Sequence, residues 1–311
     1  MTTRSKILMS GLLALTTAGF LMAQQAPTAP RAGGAPGAQG GAPAAGGGQR
    51  RGGVDPNSPR PIAAIDSVWI EELTWMEVRD AMKGGKTTAI IPAGSTEQNG
   101  PYVPTGKHIL VLRATADAIA RKLGDALIAP AMPFEPGGFS ASPGTIQVRP
   151  ETYEALLEDE ANSLKTNGFK HVILIGDSGG NQRGMANVAT KLQKDWAGSG
   201  TTIHYIKEYY DSWQKADASW AELGVPIPKD KDGKAVSDGI HDDYSVNSII
   251  ATVDPAKIRF KERVAAKKDS INGQPISPIK KTIDNGKKLV DIRANITIEA
   301  IKKAFATTSN Q

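Results

Sequence analysis

Residues 90–108 read IIPAGSTEQNGPYVPTGKH, and this segment is the most informative part of the sequence. A short apolar run ends in Pro-Ala-Gly and is followed by a polar loop that contains a carboxylate (Glu97), an imidazole (His108) and several amides. Ligands of α/β proteins bind beyond the carboxyl ends of parallel strands, so we expect this loop to line a site. A surface loop shaped by its Gly-Pro and Pro-Thr-Gly turns is the alternative.

A second loop has the same position relative to a strand. Residues 171–175 are apolar, and the sequence GDSGGN at 176–181 precedes a helical pattern. A lone Gly-Gly pair is weak evidence for phosphate, and neither a GxGxxG nor a GxxxxGK[ST] motif occurs here. Asp177 and Ser178 could instead cap the following helix. Two loops that each follow a strand can converge at one edge of a sheet.

A third polar segment lies further along the chain. Residues 239–243 read GIHDD and precede an apolar helical pattern, so His241, Asp242 and Asp243 are either site residues or an N-terminal cap cluster. The cluster EYYD at 208–211 could line a pocket, although the pattern favours aromatic core packing.

The loops together resemble the creatininase (creatinine amidohydrolase) family. Its first motif runs P-x-G-S-x-E-Q-H-G-P-H-L-P-x-x-T-D and its second is N-G-H-G-G-N. Residues 142–146 (SPGTI) resemble the family's P-G-T segment, and 167–169 (NGF) precede the second strand. The GIHDD segment falls where the family has a His-Ala-Gly-Glu-type metal and substrate loop. The resemblance extends over about residues 70–300.

The resemblance implies a pair of divalent metals, usually zinc or manganese, held by a Glu, a His and an Asp of the first loop. Here the Glu is kept as Glu97, the family's His is Asn99, and its Asp falls at or next to His108. The metal-binding His of the second loop is Ser178. Asn and Ser are poor zinc ligands, so the two-metal site is not expected intact.

The sequence nevertheless retains enough donors for one rebuilt site, with zinc as the first candidate and manganese or magnesium as alternatives. Four side chains are the expected metal ligands: Glu97, His108, Asp177 and His241. One further carboxylate is expected to act in catalysis as the general base or acid, and the candidates are Asp242 and Asp243. Four polar residues are expected to bind substrate: Asn99, Tyr102, Ser178 and Asn181.

Three kinds of site remain open at this point: a rebuilt single-metal site, a metal-free binding or acid–base site, and a scaffold that has lost its activity. The first predicts a metal-dependent hydrolase of a non-peptide C–N bond, such as that of a cyclic amide. The others predict a small-molecule-binding protein without turnover. The resemblance also implies a homo-oligomer.

The first 60 residues are expected to lie outside the folded domain. Arg4 and Lys6 precede an apolar run at 7–22, and a small residue follows, which predicts a signal peptide over 1–23 and a periplasmic or secreted protein. A retained signal anchor is the alternative; after cleavage no stable membrane insertion is expected. Residues 24–60 contain 10 Gly and 6 Pro, which indicates a flexible tether.

Composition narrows the function of the remaining domain, 61–311. Six of the 37 basic residues and one of the 32 acidic residues lie within 1–60, so the remainder holds 31 of each and is formally neutral. This balance gives no sign of a nucleic-acid surface. The chain has no cysteine, which excludes disulfides, thiolate nucleophiles and Cys-ligated zinc.

The order of apolar patterns predicts the fold class. Strand-like runs at 87–91, 126–131, 171–175 and 201–206 alternate with helical patterns at 110–123, 151–166 and 182–196. Repeated βαβ units predict a three-layer α/β/α fold with a mostly parallel central sheet. An amphipathic helix is expected in the later part of the C-terminal region, after an interruption at Gly286.

Overall fold

The structure is a computed structural model that describes residues 55–309. The predicted signal peptide and residues 24–54 of the predicted tether therefore lie outside the described residues. Within 55–309, no helix combines the length and the apolar character needed to cross a bilayer.

The central sheet has four parallel strands in the order β2-β1-β5-β6. Every residue of β1 is buried, and so is nearly all of β5, because helices cover both faces of the sheet. The bounds are β1 Thr88–Ala93, β2 Ala126–Ile128, β3 Glu135–Pro136, β4 Gln147–Val148, β5 His171–Gly176, β6 Thr202–Tyr205, β7 Ser270–Ile271 and β8 Gln274–Pro275. The last two form a small antiparallel ribbon, and β3 pairs with β4.

The helices begin and end at identifiable signals. Pro150 starts α3 and Gly168, in a left-handed conformation, ends it. Thr74 and Glu77 form a reciprocal capping box on α1. The bounds are α1 Trp75–Lys83, α2 Lys107–Leu123, α3 Pro150–Asn167, α4 Asn181–Asp195, α5 Lys207–Ala218, α6 Tyr244–Val253, α7 Phe260–Ala265 and α8 Ile279–Ser309.

Two apolar layers enclose the sheet. On one face, α3 and α4 contribute Tyr153, Leu157 and Met185 to a buried cluster with side chains of β1 and β5. On the other face, α2 and α8 bury Leu112 and Ala294. A third cluster joins α2, α5, α6 and α8. This arrangement confirms the predicted three-layer α/β/α fold with its parallel sheet.

The boundaries differ from the sequence prediction where they bear on the site. Helix α2 begins at Lys107 rather than at 110, so Lys107 and His108 lie in its first turn. The predicted strand at 126–131 ends at Ile128. Residues 55–60, predicted as part of the tether, contact the domain: Arg79 donates to the carbonyls of Pro56 and Ser58.

The helix predicted in the later part of the C-terminal region is present as α8, which begins earlier, at Ile279, and continues through Gly286. A Cβ atom at this position would lie 2.0 Å from the carbonyl oxygen of Ser248 on α6. The glycine therefore permits a close approach of two helices rather than a break in one.

Candidate active site

A pocket of about 570 Å³ opens beyond the carboxyl ends of β1 and β5. In doubly wound α/β sheets, ligands bind in the crevice beyond the carboxyl ends of the strands, at the point where the strand order reverses. Its lining comes from all three predicted loops and from α5. The lining side chains that carry charge or can titrate are Glu97, Lys107, His108, Glu135, Asp177, Tyr210, Asp211, Asp217, His241 and Asp243.

The centre of the site is a hydrogen-bonded chain of carboxylate, imidazole and carboxylate. His108 Nε2 lies 2.8 Å from Glu97 Oε1, and His108 Nδ1 lies 2.8 Å from Asp177 Oδ2. Burial opposes the charged imidazole, but the hydrogen bonds that Asp177 and Glu97 accept from it raise the pKa of His108 above its ordinary value. The favoured state is therefore an imidazolium that donates from both nitrogens.

Asp177 is fixed from two further directions. Arg293 on α8 donates from Nη2 to its Oδ1 at 3.0 Å, and the Tyr209 hydroxyl donates to the same oxygen at 3.1 Å. Burial alone would raise the pKa of Asp177, but Arg293 and His108 lower it well below its usual range. Asp177 is therefore an ionised, fully paired carboxylate that orients His108.

Lys107 places an ammonium group beside this chain. Its Nζ lies 3.9 Å from Glu97 Oε1, and the side chain is 5% exposed. Burial lowers the pKa of Lys107 to about 8, while Asp177, Glu97, Asp243 and Glu135 each act to raise it. At neutral pH the pocket therefore contains a buried positive charge surrounded by carboxylates.

His241 faces the same carboxylate from the third loop. Its Nδ1 lies 3.0 Å from Asn99 Oδ1 and 3.3 Å from Glu97 Oε1. Burial and then the nearby Lys107 lower the pKa of His241 to about 4, so this imidazole is neutral at pH 7. His241 has φ 59°, a left-handed conformation that is uncommon outside glycine and concentrates at functional sites.

The first and third loops are held together by their backbones. The amide of Gly100 donates to the carbonyl of Ile240 at 2.7 Å. A Cβ atom on Gly100 would lie 2.9 Å from the Cβ of Asp242, so only glycine fits this contact. Asn99 donates to the carbonyls of Glu97 and Pro104 at 3.0 and 2.9 Å, which fixes the loop around Glu97.

The two aspartates predicted as alternative candidates for the general base or acid have different surroundings. Asp242 is fully buried and pairs with Arg263 at 2.7 Å, and it is not among the residues that line the pocket. Asp243 lines the pocket, and burial, followed by the charge of Asp217, raises its pKa. It occupies the N-cap position of α6 without a capping side-chain bond. Only Asp243 is placed for proton transfer with a ligand.

Four residues were predicted to bind substrate, and one of them lines the pocket. Ser178 does so, and its hydroxyl donates to Glu135. Asn181 is buried in the first turn of α4, where its side chain accepts from the amide of Ser178. Tyr102 stacks with Arg263 at 4.6 Å, and Asn99 shapes the loop. Asp177 and Ser178 do not cap α4, whose N-cap is Gly180.

The structure therefore assembles the four predicted metal ligands around one pocket and adds groups that sequence reasoning missed. Lys107 had a local signal, since it stands in the first motif where the family has Thr. Glu135, Asp217 and Arg293 had none, because their sequence distance from the loops hides their proximity. Tyr210 and Asp211 line the pocket, while Tyr209 is buried beneath it.

The donor set of this pocket does not fit a divalent metal. Both ring nitrogens of His108 are committed to carboxylates, and a metal ligand needs a neutral imidazole with a free lone pair. The family's His positions are Asn99 and Ser178. Among residues 55–309, no group of three or more His, Asp or Glu converges to hold an ion.

The chain belongs to the creatininase family, because the family profile described as creatinine amidohydrolase matches residues 71–295. The creatininase family is therefore the class of protein to which the fold and the loop motifs point. A crystal structure of creatinine amidohydrolase superposes with a TM-score of 0.53 at 16% identity, over 78% of this chain and 99% of that one. A likeness at this identity establishes the fold.

Curated relatives match parts of the chain. A 3-dehydro-scyllo-inosose hydrolase of Thermotoga maritima is 29% identical over 113 residues, 36% of this chain and 36% of the relative. A creatinine amidohydrolase of Pseudomonas putida is 26% identical over 115 residues, 35% of this chain and 44% of the relative. The matches thus span between about a third and half of the relatives' lengths.

Solved creatininases have been described with metals. A manganese form superposes with a TM-score of 0.54 at 17% identity, over 77% of this chain and 99% of that one. A zinc–zinc form of a creatininase mutant superposes with a TM-score of 0.52 at 18% identity, over 78% and 99%. These relatives are the support for a divalent metal in the family.

Proposed function

We propose that this protein is a hydrolase that cleaves a non-peptide C–N bond of a small polar molecule in this pocket. The observation that carries the proposal is the meeting of three complementary groups on one pocket: the neutral imidazole of His241, the ammonium of Lys107 and the carboxyl group of Asp243. Hydrolases of C–N bonds among the relatives, such as creatinine amidohydrolase, support the reaction class.

The proposed proton transfers begin at His241. Its Nδ1–H donates towards Asn99 and Glu97, which leaves the Nε2 lone pair free to accept a proton from water. The resulting hydroxide attacks the carbonyl carbon of the substrate. Acceptor oxygens at Nδ1 fix the tautomer and the orientation in which Nε2 carries the lone pair, as a general base requires.

Lys107 and Asp243 supply the remaining steps of this mechanism. The ammonium of Lys107 stabilises the oxyanion that forms on the carbonyl oxygen, since a buried positive charge is worth more than one in water. The C–N bond then breaks, and the leaving nitrogen receives a proton from the His241 imidazolium or from protonated Asp243. In the first route, His241 transfers to the leaving nitrogen the proton that it removed from water.

The lining of the pocket limits the substrate. Six carboxylates line it, whereas Lys107 is the one lysine among the described lining residues. We therefore propose a substrate that is neutral or positively charged and carries a carbonyl beside an amide or amine nitrogen, with cyclic amides as the first class to test. A solved creatininase mutant is complexed with creatine, a small polar molecule.

The experiment is a substrate screen with matched histidine variants. Purified protein is assayed for ring opening or amine release on a panel of cyclic and open amides. His241→Gln should lower kcat by about 10²–10⁴-fold, the usual contribution of a general base. His171→Gln is the control, because His171 bonds Thr202 and stacks on Phe305 outside the pocket. Equal rates for wild type and His241→Gln would contradict the mechanism.

A binding protein without turnover is the second candidate. It is favoured by one observation: both nitrogens of His108 are held by carboxylates, so this residue stabilises the pocket and takes no direct part in proton transfer. Ligand binding by calorimetry, with unchanged ligand recovered after long incubation, would favour this candidate over the hydrolase.

The other properties predicted from the sequence remain proposals. Zinc is not used in the mechanism above, because the donors do not fit it. Export to the periplasm through a signal peptide over 1–23 is proposed from the sequence pattern, and N-terminal sequencing of exported protein tests it by the loss of 1–23. Homo-oligomerisation is proposed from the family, and sedimentation analysis tests it.

A further inference from the structure

The charge arrangement around Lys107 carries an inference beyond the reaction class. Four of the carboxylates that line the pocket together with Lys107 are Asp177, Glu97, Asp243 and Glu135, and Glu97 Oε1 lies 3.9 Å from Lys107 Nζ. They belong to four different segments of the fold, yet one ammonium group lies among them. A cluster of carboxylates in a partly buried pocket needs compensating positive charge, because unpaired buried charges are costly.

Three protein cations provide that compensation. Lys107 faces Glu97, Arg293 pairs with Asp177, and the His108 imidazolium bridges Glu97 and Asp177. Arg293 is held firmly, since its guanidinium also stacks on Trp213 at 3.8 Å and on Tyr209 at 4.5 Å. A divalent ion that entered here would meet these cations and would have to displace the hydrogen bonds of His108.

We propose that this chain has a metal-independent form of the family's site, in which the Lys107 ammonium supplies the positive charge at the carboxylate cluster and keeps divalent ions out. The geometry that supports this is the approach of Lys107 to Glu97 together with the bidirectional hydrogen bonding of His108. The binding of the substrate's carbonyl oxygen by Lys107 rests on the proposed function. The exclusion of metal by Lys107 does not rest on it.

The first test measures metal and needs no substrate. Full-length protein is treated with a chelator, dialysed, exposed to zinc or manganese chloride, and analysed for bound metal and melting temperature. We expect far less than one ion per chain and an unchanged melting temperature. One zinc or manganese ion per chain that is lost in Glu97→Gln would overturn the proposal. Metal that persists in Glu97→Gln binds elsewhere and supports it.

The second test changes the charge of Lys107 with matched variants. Lys107→Met removes the ammonium at nearly constant length and leaves the carboxylates uncompensated, so it should bind zinc or manganese at least about tenfold more tightly than wild type. Lys107→Arg retains the charge and should still exclude the metal. A folded Lys107→Met that binds no more metal than wild type would refute the role of Lys107. If this variant does not fold, the metal content of wild type decides.

Metal binding and activity fail independently in these experiments. If the protein binds no metal and turns over no substrate, the inference of a metal-independent site stands and the proposed hydrolase function is rejected. If the protein binds one metal ion at Glu97 and hydrolyses an amide, the proposed function stands and the inference of a metal-independent site is rejected.

Discussion

Arg293 on α8 donates to Asp177 in the loop after β5 at 3.0 Å, across 116 positions of sequence. Both side chains are almost completely buried, with exposed fractions of 0% and 1%. The same carboxylate holds His108 through its other oxygen. The C-terminal helix therefore fixes the orientation of the central imidazole, although it contributes no residue to the lining of the pocket.

Removal of Arg293 should destabilise the whole domain. Arg293→Met leaves Asp177 buried without its main counter-charge, and the loss of one partner of a buried pair costs about 3–5 kcal/mol. Chemical denaturation measures the change. The control is Lys191→Met, which breaks exposed pairs with Glu158 and Asp195 and should leave the stability nearly unchanged. Similar losses in both variants would contradict a special role for the buried pair.

The neighbouring residues Asp242 and Asp243 should respond in opposite ways. Asp242→Asn breaks the buried pair with Arg263 and should cost about 3–5 kcal/mol. Asp243→Asn should stay within about 1 kcal/mol of wild type, since burial already disfavours its charged form. Denaturation of both variants, together with an assay of turnover, separates them. A stable, inactive Asp242→Asn would reverse their roles.

The stability of the domain should depend on Lys107 at alkaline pH. Between its folded pKa of about 8 and the ordinary lysine pKa of 10.5, the unfolded chain keeps a proton that the folded chain has lost. The unfolded state binds more protons there, so the contribution of Lys107 to stability rises with pH through this window. The total is on the order of 3 kcal/mol, since a shift of one pKa unit corresponds to about 1.4 kcal/mol.

The variant Lys107→Met isolates this contribution. The free energy of unfolding is measured from pH 7.5 to 10.5 in wild type and variant, and the difference between the two curves should rise with pH in favour of wild type. Parallel curves would show that Lys107 is solvated and titrates as an ordinary lysine.

Gly286→Ala should destabilise α8 although alanine is the better helix former. Its Cβ would lie 2.0 Å from the carbonyl oxygen of Ser248, so α6 and α8 must separate. We expect a loss of about 1–3 kcal/mol, the usual cost of overpacking. Lys287→Ala at the adjacent exposed position is the control and should be nearly neutral. A stabilised Gly286→Ala would show that the helices adjust freely.

Much of the fold could be predicted from local patterns. The buried strands are continuous apolar runs, and Pro150 and Gly168 mark the ends of α3 as expected. The continuity of α8 could not be predicted from the sequence. A glycine in a helical pattern is compatible both with a break in the helix and with close packing against a neighbouring backbone. That distinction depends on Ser248, which is 38 positions away.

The candidate site was predicted in part. Glu97, His108, Asp177 and His241 do meet at one pocket, because loops that follow parallel strands share an edge of the sheet. Their chemistry could not be derived from the same pattern. The sequence does not show which groups bond both nitrogens of His108, or that an ammonium group lies beside Glu97. These contacts depend on the three-dimensional positions of Arg293, Lys107 and the loops.

The protonation of His108 tests the central arrangement most directly. Nitrogen-15 NMR of the imidazole, assigned by comparison with His108→Gln, reports whether each ring nitrogen carries a proton. The hydrogen bonds to Glu97 and Asp177 predict that both nitrogens of His108 are protonated at pH 7 and that added zinc leaves both signals unchanged. An unprotonated ring nitrogen at this pH, or a signal that shifts with one equivalent of zinc, would contradict the account.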